Sequence, residues 1–368
     1  MSDALHDLLT RHIEAGTMPG AVATIGAQCE PVAVGRVAPG GMPLRTDAIF
    51  RIQSMTKAIT AVAALRLVQD GVIALDDPIA SWLPELAEPR VLIRPDAPLE
   101  DTRPARRPIT VRHLLTNQSG YGMMITDSPL RRAMVEAGVE AGAEPVDRGA
   151  QDWLDALAAL PLAFDPGDGW RYHHSFGLLG ILLGRVTDHS TQDVLDTTVF
   201  TPAGMPDTGF TVPLDQAHRL PAAFRHGADG LEQSEPAGAG FYVAPAPFDV
   251  SHSELVSTIS DYHAFLRALV DGRLIGPDLL DELRRDQVQG AAKTPDSFFP
   301  GFWENTGWGY GVSVVTGGLH RGRIGWSGGL GTDFFVDPDG TICIVMTQVE
   351  MDARIFALLG ELQGLSGT

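Results

Sequence analysis

Positive charge is scarce in this chain of 368 residues: 27 lysines and arginines stand against 46 aspartates and glutamates, for a formal net charge of −19. An acidic surface of this kind repels phosphate backbones and anionic lipid headgroups. We therefore expect no nucleic-acid partner and no membrane partner, and the sequence leaves the oligomeric state open. The length suggests about two domains, and the share of hydrophobic residues (44%) is that of a globular protein.

Long apolar runs and cysteines are also few. The longest apolar stretches, residues 58–65 and 176–184, are far shorter than the ~20 residues of a membrane-spanning helix. Residues 1–16 have an amphipathic pattern rather than a basic stretch followed by an apolar one, so we predict no secretory signal. Two cysteines, Cys29 and Cys343, cannot build a disulfide framework, which favours a reducing, cytoplasmic location.

The sequence lacks motifs for metal and nucleotide binding, and its one match to a common hydrolase motif stands in an unsuitable context. No H-E-x-x-H, C-x-x-C or P-loop pattern occurs, so we expect neither a metal site nor a cofactor. Residues 325–329, GWSGG, do fit the G-x-S-x-G pattern of α/β-hydrolases, with Ser327 as the nucleophile. That triad places its histidine after the serine, but the last histidine here is His320. The segment after Ser327 also has a loop and strand pattern where the elbow needs a helix, so we reject this site.

The order of the predicted elements indicates an α/β (α+β) fold with an insertion. Two short strands of a hairpin are predicted over residues 20–28 and 30–38, and several more strands follow residue 305. Between the two ends, proline-rich loops alternate with helical patterns. We predict one α/β domain from residues 1–75 and 250–368, with a mainly helical domain, residues 76–249, inserted between them.

Lysine is the rarest charged residue, and Lys57 and Lys293 are the only two. Lys57 follows Ser54 by three residues in SMTK, at the start of a largely apolar helix predicted over residues 54–70. Residues i and i+3 share a helix face, and burial together with the positive end of the helix dipole lowers a lysine pKa. A neutral amine can deprotonate an adjacent hydroxyl, which arginine cannot do. The pattern predicts Ser54 as nucleophile and Lys57 as base; the alternative is an N-cap serine beside a solvated lysine.

Several further segments occur in the order found in one known family. The chain resembles the serine β-lactamase-like, penicillin-recognising superfamily, and within it the class C β-lactamase-like carboxylesterases (family VIII esterase type). This resemblance implies a β-lactamase-like fold, with an antiparallel sheet flanked by helices and the active site between the two domains. The segments that carry it are residues 49–85 (IFRIQSMTKAITAVAALRLVQDGVIALDDPIASWLPE), 109–120 (ITVRHLLTNQSG), 166–180 (PGDGWRYHHSFGLLG), 255–269 (LVSTISDYHAFLRAL) and 307–315 (GWGYGVSVV).

By the same resemblance, YHH at residues 172–174 stands where the family has Y-x-N. This implies that Tyr172 shares a proton with Lys57 and passes it to the leaving group. A phenol beside a cationic lysine should also ionise more easily. His174 replaces the asparagine that holds the side-chain amide of a β-lactam, so we expect it to contact substrate. His173 or His174 could instead assist proton transfer, but a role as pocket wall is the favoured alternative.

The third family motif, K-T-G in β-lactamases, is replaced by Trp326, Ser327 and Gly328. The lysine of that motif meets a substrate carboxylate, which an indole cannot do. We expect these three residues to bind substrate, and the resemblance implies that the backbone N–H groups of Ser54 and Gly329 form the oxyanion hole.

Together these features predict a serine hydrolase that forms an acyl-enzyme, most simply a carboxylesterase for small acyl esters. A D-amino-acid peptidase or amidase and a weak β-lactamase remain alternatives within the hydrolases. A non-catalytic, penicillin-binding-like receptor is an alternative of another class, disfavoured because a mere receptor needs no base beside its serine.

Overall fold

The computed structural model describes residues 2–142, 145–245 and 251–365. The helices are α1 Ser2–Glu14, α2 Thr56–Gln69, α3 Val111–Leu115, α4 Pro129–Glu136, α5 Ala150–Ala158, α6 His174–Thr187, α7 Thr191–Leu195, α8 Thr201–Ala203, α9 Ile259–Val270, α10 Pro277–Leu283 and α11 Ala353–Leu365. The strands are β1 Gly20–Gly26, β2 Val32–Gly35, β3 Phe50–Arg51, β4 Arg90–Leu92, β5 Thr102–Pro104, β6 Ala223–Gly227, β7 Gly230–Glu235, β8 Val256–Ser257, β9 Thr306–Trp308, β10 Ser313–Val315, β11 Ile324–Gly328, β12 Thr332–Val336 and β13 Ile342–Met346.

Seven strands from the two ends of the chain form one antiparallel sheet in the order β2-β1-β13-β12-β11-β10-β9. The predicted N-terminal hairpin is β1 and β2. The turn DPDG joins β12 to β13 as predicted, with the N–H of Gly340 donating to the carbonyl of Asp337. Strand β1 pairs with β13, so strands from the beginning and the end of the chain are neighbours in the sheet.

Side chains alternate across the sheet, and helices cover both faces. On one face, Phe335, Cys343 and Val345 pack with apolar residues of α1 and α11. On the other face, Phe334 and Ile344 belong to the largest hydrophobic cluster, which also contains the buried residues of α2, α6 and α9. Helix α2 is therefore apolar on nearly every side because it is enclosed by the sheet and by other helices.

The segment between α2 and β8 contains α3 to α8 and two small hairpins, β4 with β5 and β6 with β7. The mainly helical content agrees with the sequence pattern, whereas the domain boundaries at residues 75 and 250 stay a prediction. One element differs from expectation: the helix predicted over residues 254–272 begins at Ile259, because Val256 and Ser257 form β8 and pair with β3. In the part of the chain that the structure describes, no helix is long and apolar enough to cross a membrane.

Candidate active site

Ser54 lies in a tight turn at the point where β3 leads into α2. A 3₁₀ turn over Gln53–Met55 precedes the helix, and Gln53 has a left-handed backbone with φ of 50°. Strand β11 closes against this turn. A Cβ atom on Gly328 would stand 2.4 Å from the carbonyl oxygen of Ile52 and 2.2 Å from Oγ1 of Thr332. The close approach therefore requires glycine at position 328 and brings the third motif against the serine.

Lys57 is completely buried, so the alternative of a solvated surface lysine is wrong. Its Nζ lies 2.9 Å from Oγ of Ser54 and also donates a hydrogen bond to the carbonyl oxygen of His252. Burial lowers the pKa of Lys57 from its usual value to about 7, and the opposing charge of Glu254 reduces this effect. An amine with this pKa is partly neutral near pH 7 and lies within reach of the serine proton.

Tyr172 lies two residues before α6, directly beside this pair. The ammonium nitrogen of Lys57 lies 4.5 Å from the centre of the Tyr172 ring. Burial raises the pKa of Tyr172 well above its usual range, although hydrogen bonds with Ser54 and Trp326 oppose the shift. The expectation that the neighbouring lysine makes this phenol easier to ionise is therefore wrong, because desolvation dominates. Tyr172 is poised to donate a proton.

Trp326 and Ser327 point to opposite faces of β11, since side chains alternate along a strand. The indole Nε1 of Trp326 donates to the Tyr172 hydroxyl at 2.6 Å, so the tryptophan faces Ser54. The Ser327 hydroxyl instead donates to Oδ1 of Asp333 at 2.7 Å. The Ser327 hydroxyl is thus engaged within the sheet, and the predicted part of Ser327 in substrate binding stays a prediction. The chain after β11 continues into β12 and not into a helix, so the predicted loop and strand after Ser327 are confirmed.

His174 is also turned away from the serine. It is 1% exposed, its Nε2 is 2.6 Å from the carbonyl oxygen of Val139, and its ring stacks on Trp153. Burial lowers the pKa of His174 to about 4, so the imidazole is neutral at pH 7. His174 is therefore part of the wall behind the site, and the expectation that it contacts substrate is not supported by this geometry.

Gly329 lies close to the turn that contains Ser54. Gly329 follows directly after the strand that Gly328 holds against the nucleophile turn. A Cβ on Gly329 would have only Oε1 of Gln53 within 4 Å, at 3.6 Å, so the space in front of this residue is open. An assignment of these two N–H groups as oxyanion donors stays a proposal.

Two further residues take part in the site without a motif to indicate them. His252 contributes a backbone carbonyl to Lys57, a contact that any amino acid could make, so no sequence signal exists. Glu254 is 4% exposed, and burial raises its pKa to about 8. Its Oε1 lies 3.7 Å from Nε2 of His252, which places a buried carboxyl group next to the lysine environment. No pattern in the sequence around Glu254, just before β8, predicts that its carboxyl group is buried near Lys57.

The arrangement can perform acyl transfer, because a serine hydroxyl, an amine of depressed pKa and a protonated phenol lie together. Across residues 2–142, 145–245 and 251–365, no group of three or more His, Cys, Asp or Glu side chains is placed to hold a metal ion.

Comparison with known proteins gives one consistent relationship. The family model described as Beta-lactamase matches residues 5–352. Protein Rv1367c of Mycobacterium tuberculosis is 34% identical over 355 residues, which cover 90% of this chain and 86% of that protein. Esterase EstB of Burkholderia gladioli is 32% identical over 322 residues, covering 81% and 76%. The solved structure of EstCE1, a hydrolase with promiscuous acyltransferase activity, superposes with a TM-score of 0.79 at 22% identity, over 98% of this chain and 97% of that one.

The family match spans nearly the whole chain, and the fold and the Ser54–Lys57 pair agree with it. The chain belongs to the beta-lactamase family and is a serine hydrolase of the β-lactamase-like fold with acyl-enzyme chemistry.

Proposed function

We propose that the protein is a carboxylesterase for small, neutral esters, with Ser54 as nucleophile, Lys57 as base and Tyr172 as proton donor. The observation that carries the proposal is the pair of contacts around Ser54. The Lys57 amine lies 2.9 Å from its hydroxyl, and Trp326 holds the Tyr172 hydroxyl from the position where β-lactamases have a lysine. The esterase EstB among the relatives supports the same choice.

In the acylation step, neutral Lys57 accepts the proton of Ser54 while Oγ attacks the ester carbonyl carbon. The negative charge on the carbonyl oxygen is stabilised by the N–H groups of Ser54 and Gly329. As the carbon–oxygen bond to the alcohol breaks, the leaving oxygen takes the phenol proton of Tyr172, and Lys57 returns its proton to the phenolate. Water then cleaves the acyl-enzyme through the reverse proton path, which regenerates Ser54.

The choice of ester over β-lactam follows from the residues at the second and third motifs. The carboxylate of a β-lactam would face the Trp326 indole, and its side-chain amide would find His174 already bonded to the Val139 carbonyl. The loss of one charge-assisted contact costs about 1.5–3 kcal/mol, or roughly ten- to a hundredfold in affinity. A neutral ester needs only the oxyanion hole and apolar surroundings.

A substrate panel tests this proposal. Small esters such as ethyl acetate should exceed a chromogenic cephalosporin in kcat/KM by at least ~100-fold. Amides of the same acyl group, measured in parallel, distinguish the amidase alternative. Comparable efficiency on the cephalosporin would contradict the esterase assignment.

Covalent labelling tests the nucleophile. After reaction with a fluorophosphonate, peptide mass spectrometry should place the adduct on the peptide that contains Ser54. The Ser327→Ala variant should label as fast as the wild type to within ~10-fold, while Ser54→Ala should not label at all. An adduct on Ser327 would overturn the assignment.

A cytoplasmic location belongs to the same proposal, supported by Cys29 and Cys343, which form no disulfide.

A further inference from the structure

An aromatic segment forms one wall beside the Tyr172 hydroxyl. Residues 294–303, TPDSFFPGFW, have no helix or strand but contain four aromatic residues. The Phe298 ring lies 5.1 Å from the Tyr172 ring and 6.2 Å from the Trp326 ring, measured between centroids. Phe298 therefore touches both partners of the hydrogen bond that fixes the proton donor.

Specific polar contacts hold this segment in place. Arg171, which is 5% exposed, donates to the carboxylate of Asp296 at 2.8 Å, so the segment is tied to the residue next to Tyr172. Within the segment, the indole of Trp303 donates to the Ser297 hydroxyl at 2.7 Å. The Ser297 hydroxyl in turn donates to the carbonyl of Thr294 at 2.7 Å. A wall fixed in this way binds a ligand with little loss of side-chain freedom.

Phe298 is one of the rings of this aromatic cluster that a ligand can reach. Trp170 and Trp308, which pack behind it and Tyr172, are fully buried, whereas Phe298 is only half-buried. No charged side chain stacks on Phe298 among the described residues. The accessible surface at this point is therefore the face or edge of an aromatic ring.

The position of the wall determines which part of an ester would meet it. Tyr172 donates its proton to the leaving oxygen, so that oxygen must come within hydrogen-bond distance of the phenol. The alcohol carbon attached to the leaving oxygen then lies on the Tyr172 side of Ser54, next to Phe298 and Trp326. The acyl chain, on the other side of the carbonyl carbon, points away from this wall.

We propose that the alcohol part of the preferred substrate is an arylalkyl group that packs on Phe298 and Trp326, and that selectivity is set mainly on the alcohol side. This inference rests on the proposed esterase function. Aromatic rings in tilted or edge contact attract one another beyond what burial of apolar area supplies. An arylalkyl alcohol therefore gains contacts here that a short alkyl alcohol or a saturated ring cannot make.

Three acetates of primary alcohols test the proposal: ethyl, cyclohexylmethyl and benzyl acetate. These alcohols have similar acidity, so differences in kcat/KM report contacts with the wall rather than leaving-group strength. Benzyl acetate should be hydrolysed at least ~10-fold more efficiently than ethyl acetate and clearly better than cyclohexylmethyl acetate. Equal efficiency on all three would overturn the inference while leaving the esterase function standing, whereas hydrolysis of none would overturn both.

Substitutions of Phe298 test whether the preference for benzyl acetate arises from contact with this ring. Phe298→Ala should lower the benzyl-to-ethyl ratio of kcat/KM by about five- to tenfold. The more conservative Phe298→Leu, which keeps an apolar side chain at this position, should lower it in the same direction. The matched control is Phe356→Ala: Phe356 is 54% exposed on α11, outside the aromatic segment, so the ratio should stay within twofold.

A second comparison tests whether the wall contacts the alcohol part or the acyl part of the ester. Ethyl phenylacetate has its aromatic ring on the acyl part, so the ratio of its kcat/KM to that of ethyl acetate measures contacts of an aromatic acyl chain. If Phe298→Ala changes this ratio more than the benzyl-to-ethyl ratio, the wall belongs to the acyl chain and the inference is wrong. An unchanged benzyl-to-ethyl ratio in both Phe298 variants would also overturn it.

Discussion

Replacing Lys57 with arginine keeps the positive charge but removes the ability to lose a proton. Lys57 is fully buried, its Nζ lies 2.9 Å from the Ser54 hydroxyl, and burial lowers its pKa to about 7. A guanidinium stays protonated at every accessible pH. Lys57→Arg and Lys57→Ala should therefore both lose at least ~1000-fold in kcat/KM for a small ester, since members of one catalytic unit fail together.

The pH dependence of kcat/KM in the wild-type protein tests the role of Lys57 independently of the variants. Because Lys57 must be neutral to act, kcat/KM should rise with pH and reach half of its maximum near the Lys57 pKa of about 7. At pH 5 only about 1% of the amines would be neutral, so the rate should be roughly 100-fold below its plateau. Burial raises the pKa of Tyr172, so deprotonation of the phenol should cause no decline up to about pH 9.

The assay is initial-rate hydrolysis of ethyl acetate between pH 5 and 9, with circular dichroism to confirm that each variant folds. The matched control is Lys293→Arg. The other lysine of the chain pairs with Asp286 through its charge, which arginine preserves, so its activity should stay within about twofold. A flat pH profile, or substantial activity in Lys57→Arg, would refute the assignment of Lys57 as base.

Two further predictions concern the tyrosine and the glycines of the site. Tyr172→Phe should fold normally and lose ~100-fold or more in kcat/KM because the proton path is removed. The control Tyr121→Phe, at another buried tyrosine, should lose far less. Equal losses in the two variants would mean that the second motif is misplaced. Gly328→Ala should lower the free energy of unfolding by about 1–3 kcal/mol in thermal denaturation, because its Cβ would overlap Thr332 and Ile52. Gly329→Ala, with open space in front of it, should unfold like the wild type, and equal destabilisation would contradict the close packing at Gly328.

Much of this fold and site could be predicted from local sequence features. A lysine one helical turn after a serine, in a chain with two lysines, indicated the nucleophile and base because i and i+3 positions always share a helix face. The DPDG turn and the N-terminal hairpin followed from turn chemistry. The apolar character of α2 predicted its burial, and burial is what lowers the pKa of Lys57.

The contacts that complete the site depend on chain segments far apart in sequence. Trp326 reaches the Tyr172 hydroxyl across 154 positions, and the His252 carbonyl reaches Lys57 across 195. No local pattern encodes such distances, because they arise when β11 and β8 pack around the nucleophile turn. The same packing turned His174 toward the Val139 carbonyl, although the motif suggested a substrate contact.

Sequence by itself therefore determined the family, the antiparallel α/β architecture and the residues able to act as nucleophile and base. Only the tertiary structure decided the direction of each remaining side chain and the ionisation of Tyr172, whose charge is disfavoured by burial more strongly than it is favoured by hydrogen bonds with Ser54 and Trp326. The physical reason is that residue type and spacing fix local geometry, whereas desolvation and hydrogen-bond partners are properties of the assembled environment.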